Sequence, residues 1–212
     1  MRPIACEQLR CIVIIGALVG AIGCGGGKTG PSSQEVGPDI ESTLLPAGLL
    51  DLDGNAFDLW KQEPARVTVV LFTRSDCPIS NRYAPEIRRL HEKYHGREVD
   101  FYLVYVDPRE QSETIRAHMQ EYEYPCPGLR DPQHTLVELC QATTTPEAVV
   151  FDKDRTIVYL GRIDDLYADV GKARAAATTH DLADAIEATV EGRPVANPRT
   201  EAVGCPIADV RK

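Results

Sequence analysis

The sequence predicts an α/β domain with a central mixed β-sheet flanked by helices, and three observations lead there. Residues 67–73 (VTVVLFT) and 100–106 (DFYLVYV) are continuous runs of β-branched and apolar side chains, the make-up of strands buried on both faces. Between them Tyr83, Ile87, Leu90 and Tyr94 recur at helical spacing, and a helical crossover makes the two strands parallel. Residues 147–152 and 156–161 flank the short turn Lys153-Asp154-Arg155 as an antiparallel pair would, so the sheet is mixed.

The elements follow in chain order. Residues 43–60 carry Asp53-Gly54 between apolar stretches and read as a hairpin. The helix after the first buried strand stops at Gly96. Residues 110–122 and 133–140 read as two further helices, and residues 179–191 as a closing one. In the last, Leu182, Ile186 and Val190 fall at i, i+4 and i+8, and Thr179 or Asp181 is placed to cap it. Residues 162–182 before it read as a polar loop.

A chain of 212 residues suits one domain, and 43% hydrophobic with 26% charged residues excludes a chain disordered throughout or a polytopic membrane protein. A net charge of −9 with no basic stripe argues against nucleic acid as a partner. Arg2 and Arg10 precede an apolar run at residues 11–23 that is short of the ~20 residues needed to span a bilayer but suits a signal-peptide core. The run ends in small residues at Cys24, followed by Gly25, Gly26 and Gly27, and resembles a bacterial lipoprotein signal, although Ala21 is smaller than the aliphatic residue usual there. The resemblance implies a signal peptide at 1–23 and a lipid on Cys24. After these come a flexible tether to residue 42, a domain over 43–192 and a tail over 193–212. The expected address is the cell envelope, on the periplasmic side, with the protein held to a bacterial membrane by its lipid.

Seven cysteines are the unusual entry in this composition. Cys6 and Cys11 would leave with the signal and Cys24 would carry lipid, so Cys77, Cys126, Cys140 and Cys205 remain for chemistry in an oxidising compartment. Cys77 follows a buried strand and stands just before an amphipathic helix, with Pro78 suited to the first helical turn. Free N–H groups and the helix dipole there favour a thiolate, and the polar neighbours Ser75 and Asp76 predict an accessible, reactive sulfur.

This strand, Cys-Pro turn and helix, followed by TTTPEAVVFD (residues 143–152), resembles the thioredoxin-like superfamily over residues 43–192. Within it the chain is most similar to redoxins of the alkyl hydroperoxide reductase and thiol-specific antioxidant (AhpC/TSA) group. The resemblance implies a thioredoxin-like fold, a cis-proline at Pro146 facing Cys77, and thiol–disulfide oxidoreductase or antioxidant activity, with protein thiols and disulfides or a peroxide as substrates. No cofactor is implied. The chain departs from its relatives at three places. Ser80 stands where a Cys-x-x-Cys motif has its second thiol. Arg74 and Val70 stand where peroxidases carry a hydroxyl residue and a proline, and Asn81 stands where Sco-type copper chaperones have their second cysteine.

A lone thiolate at Cys77 forms a mixed disulfide or a sulfenic acid, and turnover then needs a second thiol. Cys126, between two prolines, reads as the more accessible candidate, Cys140 as a buried residue, and Cys205 as part of a Gly- and Pro-marked tail able to fold back over the domain. Structural Cys126–Cys205 or Cys126–Cys140 bridges stand beside these. Two other readings stay open: a carrier of Cu(I) using Cys77 and one other cysteine, and a redoxin scaffold kept for protein interaction. For metals the histidines show no ligand spacing with a cysteine. His91 and His95, and Asp164 and Asp165 with His180, are weaker possibilities. Arg155 and Arg162 read as surface-pairing residues, with a thiolate or anionic client as the alternative partner.

Overall fold

The computed structural model describes residues 48–61 and 65–208. The signal segment, Cys24, the whole tether to residue 42 and residues 43–47 of the expected hairpin therefore lie outside the described residues. The strands are β1 (Val67–Thr73), β2 (Val99–Tyr105), β3 (Gly128–Arg130), β4 (Thr144–Thr145), β5 (Glu147–Asp152), β6 (Ile157–Gly161), β7 (Tyr167–Asp169), β8 (Lys172–Ala173) and β9 (Cys205–Pro206). The helices are α1 (Pro78–Arg82), α2 (Ala84–Tyr94), α3 (Ser112–Glu121), α4 (Thr135–Cys140) and α5 (Asp181–Val190).

The main sheet has the order β3-β2-β1-β5-β6, with β3, β2 and β1 parallel and β5 and β6 antiparallel, the mixed sheet that the sequence predicts. Alternation along each central strand splits the core in two. Val67, Val69 and Leu71 of β1 face one side, where Ile87 and Leu90 of α2, Ile115 of α3 and Ile186 of α5 cover them. Val70 and Phe72 face the other, against Leu136 and Val137 of α4 and against Leu49 and Leu59 from the segment before the sheet. Both faces of β1 are therefore buried, which is why its sequence runs apolar without alternation.

Three local features differ from the sequence reading, each for a physical reason. The long helix after β1 is broken at Tyr83, because Pro85 in the first turn of α2 lacks the N–H that a continuous helix would use. The described part of the expected first hairpin closes on Asp51, whose Oδ1 accepts the N–H groups of Asp53 and Asn55. Its strands reduce to bridges from Leu50 to Ala56 and Arg130, with Gly54 at φ +85°. In the expected polar loop, β7 and β8 form a small antiparallel hairpin with Gly171 at φ +78° in the turn.

The short helix α4 has no side-chain cap from its preceding residue, and its free N–H groups point to a carboxylate further back. Asp131, fully buried, accepts from Thr135 N (2.8 Å), Leu136 N (2.9 Å) and Val137 N (3.0 Å). Asp131→Ala would leave these donors buried without a partner. We expect urea denaturation to show a loss of about 2–4 kcal/mol, larger than an ordinary cap deletion.

Candidate functional site

Cys77 sits where β1 ends and α1 begins, after the turn Arg74-Ser75-Asp76. Glu110 holds that turn: its Oε1 accepts the Ser75 N–H at 2.9 Å and also the Ser75 hydroxyl. Burial pushes the Glu110 carboxyl up, and the two Ser75 bonds offset part of that rise. Asn81 Nδ2 donates to Ser75 O at 2.9 Å, and Asn81 Oδ1 meets His118 Nε2 at 2.8 Å. Because that oxygen only accepts, Nε2 carries the proton, and Nδ1 accepts from the Tyr105 hydroxyl at 2.8 Å. Burial pushes His118 down, in keeping with a neutral ring at this position. The turn carrying Cys77 is thus tied to α3 and β2 through a buried polar chain.

Across from Cys77 lies the Thr145-Pro146 bond, which is cis, as the thioredoxin-like resemblance implies. Glu147, buried, fixes the approach to it by accepting the N–H groups of Thr143 (2.7 Å) and Thr144 (3.2 Å). Cys77 Sγ lies 3.2 Å from the Thr145 carbonyl oxygen and 2.8 Å from Cys205 Sγ. Cys205 arrives on β9, which pairs antiparallel with β4 so that Cys205 stands opposite Thr145.

The tail reaches this point along the edge of the sheet. Leu160 N donates to Pro198 O (3.0 Å) and Thr200 N to Leu160 O (3.1 Å), and the Thr200 hydroxyl meets the Tyr159 hydroxyl at 2.7 Å. Residues expected to form a separate tail therefore cover the β6 edge and then Cys77. For that reason Cys77 is 0% exposed, against the accessible sulfur that its polar neighbours predict.

Burial pushes the Cys77 thiol up, and hydrogen bonding from the Cys205 thiol and then from the Ser80 hydroxyl and N–H outweighs it, leaving Cys77 below the ordinary thiol range. Burial, then the bond to Cys77 and its charge, push Cys205 up to about 11. The pair is asymmetric: Cys77 ionises first and Cys205 keeps the proton. The Ser80 hydroxyl is buried and has no partner of ordinary hydrogen-bond geometry, so an ionised Cys77 is the acceptor available to it.

We expect Ser80→Ala to move the midpoint of Cys77 alkylation to higher pH. The rate at neutral pH would fall roughly tenfold, and the two proteins would converge above both midpoints, where each is fully thiolate. Alkylation followed by peptide mass spectrometry reads this directly.

The other cysteines are placed elsewhere. Cys126, expected to be accessible, is 3% exposed, because it packs into the same core cluster as Tyr124 and Cys77. Burial pushes its thiol up to about 12. Cys140 is buried, as expected, and lies in the core on the opposite face. All four described cysteines are free thiols, and the sheet between Cys126 and Cys140 separates the two members of that possible bridge. Cys205 lies beside Cys77, with 2.8 Å between the sulfur atoms.

Asp164, His180 and Glu86 do come together, with ligand atoms within 4.8 Å of one another. Glu86 is already held by both ends of the Arg89 guanidinium (2.6 and 2.7 Å), and Asp164 accepts from Tyr83 (2.7 Å) and Leu166 (2.9 Å), so the carboxylates are satisfied without a cation. Asp165 turns away to Thr178 and Thr179. His91 and His95 stack at 5.1 Å, with no third metal-ligating group beside them among the described residues. Arg155 lies over the Trp60 ring at 5.7 Å and Arg162 pairs with Asp181 at 2.8 Å, so neither serves the thiol pair.

Spacing alone marks Ser80 only as a missing thiol and does not single out Glu147. Their roles depend on strand pairing and burial, which no spacing in the chain announces.

Among solved structures, the chain resembles an uncharacterized conserved protein from Geobacillus kaustophilus (27% identity, TM-score 0.69, covering 78% of this chain and 89% of that one). It also resembles a hypothetical protein from Sinorhizobium meliloti 1021 (25% identity, TM-score 0.67, 77% and 91% covered). The thioredoxin domain of a thiol-disulfide oxidoreductase from Bacteroides vulgatus matches at 18% identity and TM-score 0.50, with 66% and 90% covered, which shows the fold to be thioredoxin-like. No curated protein matches significantly. The profile of the AhpC/TSA family matches residues 35–160, more than half of the chain, taking in Cys77 and Pro146 and ending short of Cys205, and the chain belongs to that family.

Proposed function

We propose that this protein is an exported, membrane-tethered thiol–disulfide oxidoreductase in which Cys77 attacks and Cys205 resolves. The observation that carries this reading is the 2.8 Å approach of the two sulfur atoms beside a cis-proline, with the acidity of the two thiols pushed in opposite directions. In the forward cycle the Cys77 thiolate attacks a client disulfide, one client sulfur leaves as thiolate, and a mixed disulfide forms. Cys205 then loses its proton and attacks the Cys77 sulfur, expelling the second client thiolate and leaving a Cys77–Cys205 disulfide. Ionisation of Cys205 becomes easier at this step, because the negative charge on Cys77 that holds its proton is gone once that sulfur is bonded.

The pre-reduced full-length protein, mixed with excess of a disulfide-bonded peptide, should reduce one disulfide per chain while Cys77 and Cys205 become linked. A stable mixed disulfide with Cys205 still reduced, or no exchange at all, would contradict the reading. With peroxide the same pair would give a Cys77 sulfenic acid that Cys205 condenses to the disulfide with release of water. Family membership supports this branch. Arg74, in place of a hydroxyl residue three positions before Cys77, points to peroxide being the slower oxidant.

Export and lipid attachment rest on residues 1–27 and on the cysteine at position 24. Cys24→Ser should move the protein from the membrane fraction to the soluble fraction of a bacterial host, as read by fractionation and immunoblotting. Retention in the membrane would remove the lipid anchor from the account.

A further inference from the structure

The segment that covers Cys77 also shows what a client must look like. Residues 203–207, Val-Gly-Cys-Pro-Ile, bend at Gly204 and then meet the β4 edge through the strand Cys205–Pro206: Thr145 Oγ1 donates to Cys205 O (3.3 Å), Ile207 N donates to Thr143 O (2.9 Å), and Thr144 faces Pro206. Pro206 has no N–H to leave unpaired, and Ile207 packs against the apolar cluster on the α4 face. The residue before the cysteine is the restrictive position. A Cβ on Gly204 would lie 2.0 Å from the Thr145 carbonyl oxygen and 2.7 Å from its carbon, and these are backbone atoms beside the cis bond rather than a side chain able to swing aside.

Because Cys77 is 0% exposed under this segment, a client sulfur reaches it only by taking the place of Cys205 on the same edge. We propose that the tail is a built-in stand-in for the client, and that the protein selects extended segments with glycine immediately before the attacked cysteine. The proposal rests on the thiol-exchange reading above and adds to it the class of client. It also couples two steps: return of β9 to the β4 edge brings the resolving thiol back and displaces the client strand, an exchange of one added strand for another.

The test uses the full-length protein carrying Cys205→Ala, which can capture but not resolve. Two peptides, Ala-Val-Gly-Cys-Pro-Ile-Ala and the same peptide with valine for glycine, are each presented as a mixed disulfide with a nitro-aromatic thiol. Capture forms the Cys77–peptide disulfide and releases the aromatic thiolate, whose colour gives the rate. Measured where the rate rises linearly with peptide concentration, so that opening of the tail is not limiting, the glycine peptide should react about tenfold faster or more, equivalent to roughly 1.4 kcal/mol.

Equal rates for the two peptides, with a small aromatic disulfide still reacting at Cys77, would overturn the proposal and leave the exchange reading standing. No reaction of native Cys77 with the small disulfide, while the unfolded chain reacts, would overturn the exchange reading itself. In a separate arm with the wild-type cysteines, read at a pH above the Cys77 midpoint of both proteins so that loss of the Cys205 hydrogen bond does not offset the gain in access, Gly204→Val should lift the tail and speed alkylation of Cys77 several-fold. An unchanged rate would show that the close approach at Gly204 does not hold the tail down, and would overturn the proposal as well.

Discussion

Cys77→Ser should reduce thiol–disulfide exchange to the uncatalysed background, with folding intact. A serine hydroxyl is not ionised in the pH range where Cys77 is, and no other described thiol can take over. Cys126 and Cys140 are buried, with their thiols pushed far above neutral pH, and Cys205, relieved of the Cys77 charge in this variant, is still pushed up by its own burial. The substitution is nearly isosteric, so the packing of Cys77 against the cis-proline loop survives and the far-UV circular dichroism should not change. Exchange with a disulfide-bonded peptide, followed by release of free thiol, measures the loss. Retained exchange at more than a few per cent of wild type would place the nucleophile elsewhere.

Cys205→Ala is expected to produce the opposite fault: capture without release. Cys77 still attacks, but the mixed disulfide has no neighbouring thiol to resolve it, since Ser80 occupies the place of a nearby second cysteine and Cys126 lies in the core. A covalent protein–client adduct should accumulate to near one per chain on a non-reducing gel, with multiple-turnover exchange lost. Removal of the Cys205 hydrogen bond should also raise the Cys77 midpoint, because that bond is the largest of the contributions that pull the thiol down. The reactivity window of Cys77 therefore moves to higher pH, as for Ser80→Ala. The variants differ in that Ser80→Ala still turns over, which separates loss of thiolate stabilisation from loss of resolution.

Much of the fold was legible in the chain because strands buried on both faces leave a continuous apolar signature. Val67–Thr73 is the strand the sequence predicts, residue for residue, and β5 matches as closely. The break at Tyr83 is missed by helical spacing alone, because Tyr83, Ile87, Leu90 and Tyr94 keep one face across it while the missing N–H of Pro85 interrupts the backbone. The two-residue strands β4 and β9 were not legible, since their pairing is a property of two distant segments meeting and neither carries a period of its own. The same holds for the site. Cys77 stands out through local features, a buried strand before it and Pro78 after it, and Thr145-Pro146 stands out through resemblance.

The resolving thiol could not be chosen from sequence, because Cys126 and Cys205 are each flanked by proline and only tertiary packing tells them apart. Cys126 packs into the core cluster beside Tyr124, whereas the close approach of Gly204 to Thr145 lets the tail reach the cis-proline edge and brings Cys205 to Cys77. Ser80 was misleading in an instructive way. The absence of a thiol at that position hid the presence of a hydroxyl suited to stabilising one.

The pairing of Cys77 with Cys205 is most directly tested by a disulfide map of the oxidised full-length protein, made by alkylating free thiols, digesting without reduction and sequencing the linked peptides by mass spectrometry. A single Cys77–Cys205 link, with Cys126 and Cys140 recovered only after denaturation and then as free thiols, is the result expected. A link joining Cys126 to either Cys205 or Cys140, with Cys77 alkylated, would contradict the account.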